Sequence, residues 1–292
     1  MAAALAVVVL VAACGGTGSS GATGSKVQVV AAENFWGSIA TQIGGDRVQV
    51  TSIITNPDTD PHDYDATPKD ARLVAQAKFV IVNGAGYDAW ASKLLSSNPS
   101  QGRQVLDVGD MLGKKEGDNP HFWYSPDYVA QVVAKITDDL KTVDQADASA
   151  FDSNRSQFET SGLKAYHDEI GAIKQKYAGT PVGASESIFA YLSPALGLDL
   201  VTPPSYMNAI SEGTDLSAAD KATVDQQVSD RQIKVFVFNS QNSTPDVQEV
   251  VNRAKAAGIP VAEITETLAP AKASFQEWQT KQLKALYQAL GG

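Results

Sequence analysis

The chain has 292 residues, 43% of them hydrophobic and 19% charged, with a formal net charge of −10. That length holds one large or two ordinary domains, and the balance is that of a folded chain rather than a disordered one. Nucleic-acid binding is excluded at this level, because it needs a basic footprint to displace counterions and the longest basic run is Lys114-Lys115.

Residues 2–13, "AAALAVVVLVAA", are wholly apolar and lead to Cys14, the single cysteine, followed by the Gly/Ser-rich "GGTGSSGATGS". A dozen apolar residues fall short of the about 20 needed to span a bilayer and match the core of a secretory signal. Small and aliphatic residues before the cysteine resemble a lipobox. The expectation is therefore a signal and flexible tether over 1–25, with Cys14 lipidated and the folded part held outside the cytoplasmic membrane.

From Lys26 the chain alternates strand and helix. "KVQVVAAE" (26–33) reads as a strand, "NFWGSIATQIGG" (34–45) as a helix closed by Gly44-Gly45, and "RVQVTSII" (47–54) as a second strand. A helix over 67–77 has Thr67 as N-cap and Pro68 at its first position. "KFVIVNGAG" (78–86) is an apolar run typical of a strand buried on both faces. A helix (87–97), a short strand (104–109) and a helix (125–143) complete a first α/β lobe, 26–144. Residues 145–178 contain no proline and only Gly162 and Gly171. Phe151, Phe158, Leu163, Tyr166, Ile170, Ile173 and Tyr177 recur there at roughly helical spacing. This predicts one linking helix of about 45 Å. The alternation restarts with strands at 180–186, 198–204, 233–240 and 259–266. Helices follow at 187–197, 215–231 (capped at Ser217), 244–258 (capped at Thr244) and 274–290, making a second lobe, 179–292. The expected fold is α/β: two lobes with mainly parallel sheets, joined by a spine helix, with a cleft between them.

Only three histidines occur. His167 falls on the spine and reads as a helix surface or packing residue. His62 and His121 lie in loops before predicted helices, each preceded by a proline. A lone loop histidine is ordinarily a surface residue, but two at the same end of one sheet form a candidate metal pair. Zn2+ and Mn2+ take four or more ligands. The second lobe offers Glu186 and Glu266 at strand ends, although each also fits a solvated residue, and Glu186 fits a partner for the following helix dipole.

At these residues the chain resembles the metal-binding lipoproteins that serve zinc and manganese ABC importers. The likeness is carried by Asp60-Pro61-His62-Asp63-Tyr64, by Pro120-His121-Phe122-Trp123 with Pro126, by "SESIFAYLSPALGL" from Ser185, and by "ITETLAP" from Ile264. It implies a metal site of His62, His121, Glu186 and Glu266, with Glu263 as the competitor for the fourth place. Asp63, Asn34 and Trp123 are expected to support the ligands from behind. It further implies one bound divalent transition-metal ion, a monomer anchored by lipid, and delivery to an ABC permease driven by a cytoplasmic ATPase. This chain has no Walker A motif of its own. Two imidazoles and two carboxylates offer up to six donors, so the balance favours Mn2+ narrowly over Zn2+. The rival readings are a surface metallochaperone or adhesin without a transporter, and a metal-dependent hydrolase. Against the hydrolase, there is no His-Glu-x-x-His and no Gly-x-Ser-x-Gly.

Overall fold

A computed structural model describes residues 26–62 and 64–292. The expected tether and Cys14, the expected lipidation site, lie outside the described residues, as does Asp63.

The first lobe runs β1 (Val27–Glu33), α1 (Asn34–Gly44), β2 (Val48–Ile54), α2 (Pro68–Gln76), β3 (Phe79–Val82), α3 (Ala89–Ser97), β4 (Gln104–Asp107), α4 (Val108–Met111) and α5 (Pro126–Val143). Its four strands are all parallel, in the order β2-β1-β3-β4. Every residue of β3 is buried, as an apolar run covered by helices on both faces requires. At Gly37 of α1 a Cβ would fall 2.1 Å from Ser52 Oγ of β2, so glycine sets how closely this helix lies on the sheet. Thr67 caps α2 in a full capping box with Asp70, and Pro68 follows at the first helical position.

The linking segment departs from the single helix expected over 145–178. A 3-10 turn (Gln145–Asp147) leads into α6 (Ala148–Gln157), a π turn (Phe158–Gly162) and then α7 (Lys164–Tyr177). Leu163 N donates to Phe158 O at 2.8 Å, and both side chains are buried. The five-residue step from Phe158 to Leu163 exceeds a regular helical repeat. A wide turn absorbs the extra residue and keeps both side chains on the core side. The segment packs on α1 and α5 at its start and on the last helix, α12 (Phe275–Ala289), at its end.

The second lobe runs β5 (Pro181–Ala184), α8 (Leu192–Ala195), β6 (Asp199–Leu200), α9 (Pro204–Ser211), α10 (Ala218–Ser229), β7 (Phe236–Asn239), α11 (Pro245–Ala256), β8 (Val261–Ile264) and α12 (Phe275–Ala289). Its parallel order is β6-β5-β7-β8, which repeats that of the first lobe. Two expectations shift here. The helix expected over 187–197 is a 3-10 turn (Ser187–Ala190) plus the short α8, which contains Pro194. The strand expected over 198–204 shrinks to two residues, because Pro203 and Pro204 start α9, a helix the sequence reading left unassigned.

In each sheet the chain reverses direction between the first and third strands of its lobe, and open parallel sheets bind ligands at the carboxyl ends of strands beside such a switch. The two sheets share one hydrophobic cluster that includes Phe35, Trp123, Phe189 and Phe275. A smaller cluster around Ile54, Val80 and Trp90 covers the other face of the first sheet.

Candidate metal site

His121, Glu186 and Glu266 converge. One donor atom from each lies within 4.8 Å of the others, and all three residues are buried. His121 comes from the loop after α4. Glu186 follows β5 and Glu266 follows β8. Glu263, the alternative fourth ligand, is mid-strand in β8 and exposed, because alternation turns it away from the buried face.

His121 is held in one orientation. Its ring Nδ1 lies 2.7 Å from Asn119 Oδ1, which also accepts the His121 backbone N–H at 3.1 Å. Asn119 Nδ2 donates to Ser187 O at 2.7 Å across the cleft, so Oδ1 is the atom facing the imidazole. Nδ1 therefore carries the proton and Nε2 presents its lone pair, the tautomer a metal needs. Among the described residues Nε2 has no hydrogen-bond partner, and it lies 4.0 Å from Glu266 Oε1. Burial, reinforced by the charge of His62, pushes the His121 pKa down to about 3, so the ring is neutral at any physiological pH.

The carboxylates are pushed the other way. Burial lifts Glu266 to about 7, opposed by the hydrogen bond from Tyr87. Burial and then the charge of Glu266 raise Glu186 well above the usual carboxylate range. Asp60, on the acidic loop, adds to the negative field at both. Burial without a counter-charge favours the neutral form of both carboxyl groups.

Four hydrogen bonds from three neutral side chains orient these carboxylates. Tyr87 OH donates to Glu266 Oε2 at 2.9 Å. Asn239 Nδ2 donates to Glu186 Oε1 and, at 3.0 Å, to Glu266 Oε1. Asn242 Nδ2 donates to Glu186 Oε2 at 2.7 Å. The sequence reading missed these residues. The available signal was "NSQN" (239–242), three carboxamides in four residues at the end of a buried strand. Tyr87 sits on a loop with positive φ at Gly84, Ala85 and Gly86 (74°, 52° and 88°). The two glycines adopt this at no steric cost, and at Gly84 a Cβ would also fall 2.0 Å from Asp107. Behind Tyr87, Asp88 and Glu33 face each other in the first-lobe core. Burial raises Asp88 to about 6 and, with the charge of Asp88, Glu33 well above its ordinary value.

The structure does not bring His62 into the converged group. It sits on an exposed loop, with its backbone N–H on Asp60 Oδ1 at 2.9 Å and the preceding Pro61 O accepting Trp90 Nε1 at 3.2 Å. Its ring is nevertheless edge-on to Tyr87 at 4.7 Å, and it lines the same cavity of about 340 Å3 as His121. Glu116 and Asp118 from one lobe and Glu212 from the other stand at this cavity.

The expected supporting residues are mixed. Trp123 is fully buried, stacked on Phe35 at 4.0 Å and edge-on to His121 at 5.3 Å. Asn34 Oδ1 accepts Leu268 N at 3.1 Å and so ties the first lobe to the loop that carries Glu266. His167 is an exposed residue of α7.

The manganese ABC transporter substrate-binding lipoprotein PsaA of Streptococcus mitis is 29% identical to this chain over 235 residues, covering 72% of each. The manganese-binding lipoprotein MntA of Halalkalibacterium halodurans is 28% identical over 220 residues, covering 72% of this chain and 71% of its own. The Mn-bound periplasmic metal binding protein of Candidatus Liberibacter asiaticus shares the fold, with a TM-score of 0.74 at 20% identity, over 91% of this chain and 99% of that one. Residues 29–289 match the family described as ZnuA, zinc-uptake complex component A, periplasmic, and the chain belongs to that family.

Proposed function

We propose that this chain captures one divalent transition-metal ion outside the cytoplasmic membrane and passes it to an ABC permease, with His62, His121, Glu186 and Glu266 as the ligands. The observation that carries the reading is the buried convergence of the His121 imidazole with the two carboxylates. The ion enters past Glu116, Asp118 and Glu212, whose charge raises its local concentration. It displaces the protons of Glu186 and Glu266 and takes the lone pair of His121 Nε2. His62 then swings from the cavity wall to complete the set. Oxygen donors outnumber nitrogen donors, which suits Mn2+, while intrinsic affinity orders Zn2+ above Mn2+. Mn2+ as the physiological cargo thus rests on geometry and availability. The further parts of the proposal are an anchor at lipidated Cys14, a monomeric state, and a cytoplasmic ATPase as the motor of the permease.

Metal analysis and calorimetry of protein purified without chelator test this. One equivalent of ion per chain is expected. His121→Ala and Glu266→Ala should each weaken binding by more than about 100-fold, beyond the 10–100-fold typical of residues that merely support a ligand. Unchanged affinity in both variants would overturn the ligand assignment.

A further inference from the structure

We propose that Asn239 determines metal specificity by positioning both carboxylates at once. This rests on reading the site as one of metal capture. Asn239 ends β7, the strand that lies between β5 and β8. Glu186 follows β5 by two residues, and Glu266 lies two residues beyond Ile264, the β8 partner of Asn239. The sheet order therefore places one side chain between the two glutamates.

The amide is fully buried and its orientation is set. Oδ1 accepts Gln241 N at 3.0 Å, which turns Nδ2 toward the carboxylates. The backbone N–H of Asn239 donates to Ser185 Oγ at 3.1 Å and fixes the residue to the end of β5. Nδ2 then meets Oε1 of both glutamates, one for each of its two N–H groups.

The chemical consequence lies in what the clamp leaves available. Asn239, Asn242 and Tyr87 orient the carboxylates without cancelling their charge, as an arginine or lysine would. Each carboxylate oxygen spends one lone pair on its donor and keeps another. Both oxygens of both glutamates remain open to an ion, alongside His121 Nε2. That offers Mn2+ the oxygen-rich, higher-coordinate surroundings it favours, whereas Zn2+ is satisfied by four donors in all. Without Asn239 the two like-charged groups turn apart and each offers one oxygen. Zn2+ loses little by this and Mn2+ loses much.

The test measures Mn2+ and Zn2+ dissociation constants for wild type, Asn239→Leu and Asn242→Leu, by competition with a fluorescent chelator. Leucine keeps the side-chain volume and removes the donors. Asn239→Leu should weaken Mn2+ about 30-fold and Zn2+ about threefold or less, so that the ratio of the two constants shifts about tenfold. Asn242→Leu, which frees only one oxygen, should move the ratio less. Should Asn239→Leu not fold, Asn239→Ser carries the same ratio measurement. Equal losses for the two ions, or none, overturn the assignment of Asn239 alone. Wild-type protein that binds neither ion overturns the reading of the site and this assignment with it.

Discussion

The two lobes share a strand order but contribute unlike halves of the site. The second lobe brings Glu186 and Glu266, both buried and with every carboxylate oxygen accepting a hydrogen bond. The first lobe brings one buried proposed ligand, His121, and one, His62, on an exposed loop at the cavity wall. The lobes themselves are tied by Tyr124 OH on Thr265 O (2.7 Å), Asn34 Oδ1 on Leu268 N (3.1 Å) and a shared apolar cluster. Capture by wide opening would break all of these together. His62 is the exposed member of the proposed set and the other three are buried, a difference consistent with the proposed closure by His62 on an ion held by the buried three.

This contrast breaks most directly if the halves are mutated separately. Glu186→Ala should cost more than about 100-fold in affinity, and His62→Ala about tenfold, with the loss carried by faster release of the ion. Stopped-flow chelator chase separates the rates. Equal losses for the two variants would mean that His62 is as integral to the resting site as Glu186.

Much of this arrangement was legible in the sequence. Buried runs such as "FVIV" and "FVFN" can be read because a doubly covered strand has no polar face to show. The π turn was written in the five-residue gap from Phe158 to Leu163, but only a packing partner decides whether such a gap bends a helix or widens it. The strand expected over 198–204 ran through the paired prolines and 205–211 was left unassigned, whereas here Pro204 opens α9. At the site, the two Pro-His loops marked His62 and His121 as a candidate pair, while Glu186 and Glu266, read from pattern as strand-end residues, joined them only through the resemblance. The carboxamide clamp was not readable, because Asn239 gains its meaning from two residues just beyond the neighbouring strands, one of them 53 positions away in the chain.

The tie between the halves is sharpened at Asn119, which fixes the His121 tautomer through Oδ1 and reaches Ser187 O in the second lobe through Nδ2. Its backbone carbonyl accepts Tyr191 OH at 2.9 Å. Asn119→Ala removes both side-chain roles and should weaken metal binding about tenfold, as loss of a histidine's hydrogen-bond partner does. Asn119→Asp keeps the acceptor for Nδ1 and loses only the donor to Ser187. Its affinity should fall about threefold or less by the same calorimetry. If aspartate costs as much as alanine, the bond across the cleft matters more than the tautomer.

The smallest effect is a pH dependence that the two lobes carry separately. Burial holds the folded-state pKa of Asp88 at about 6, in the first lobe, and that of Glu266 at about 7, in the second. Both lie above the ordinary values of 3.8 and 4.5, so folding takes up protons at these groups. The stability this confers is complete below about pH 4 and is lost as pH rises through 6 and 7. At Asp88 the shift corresponds to about 3 kcal/mol. In the presence of chelator the Tm should therefore fall between pH 5 and 8, by roughly 5–10 °C for a chain of this size. Glu266→Gln should flatten that curve by removing its own share, leaving those of Asp88, Glu33 and Glu186. Saturating Mn2+ should reverse the slope between pH 5 and 7, because the ion competes with the protons of Glu186 and Glu266 but not with that of Asp88. Parallel curves with and without the ion would mean that its binding releases no protons, and the two carboxylates would then not be its ligands.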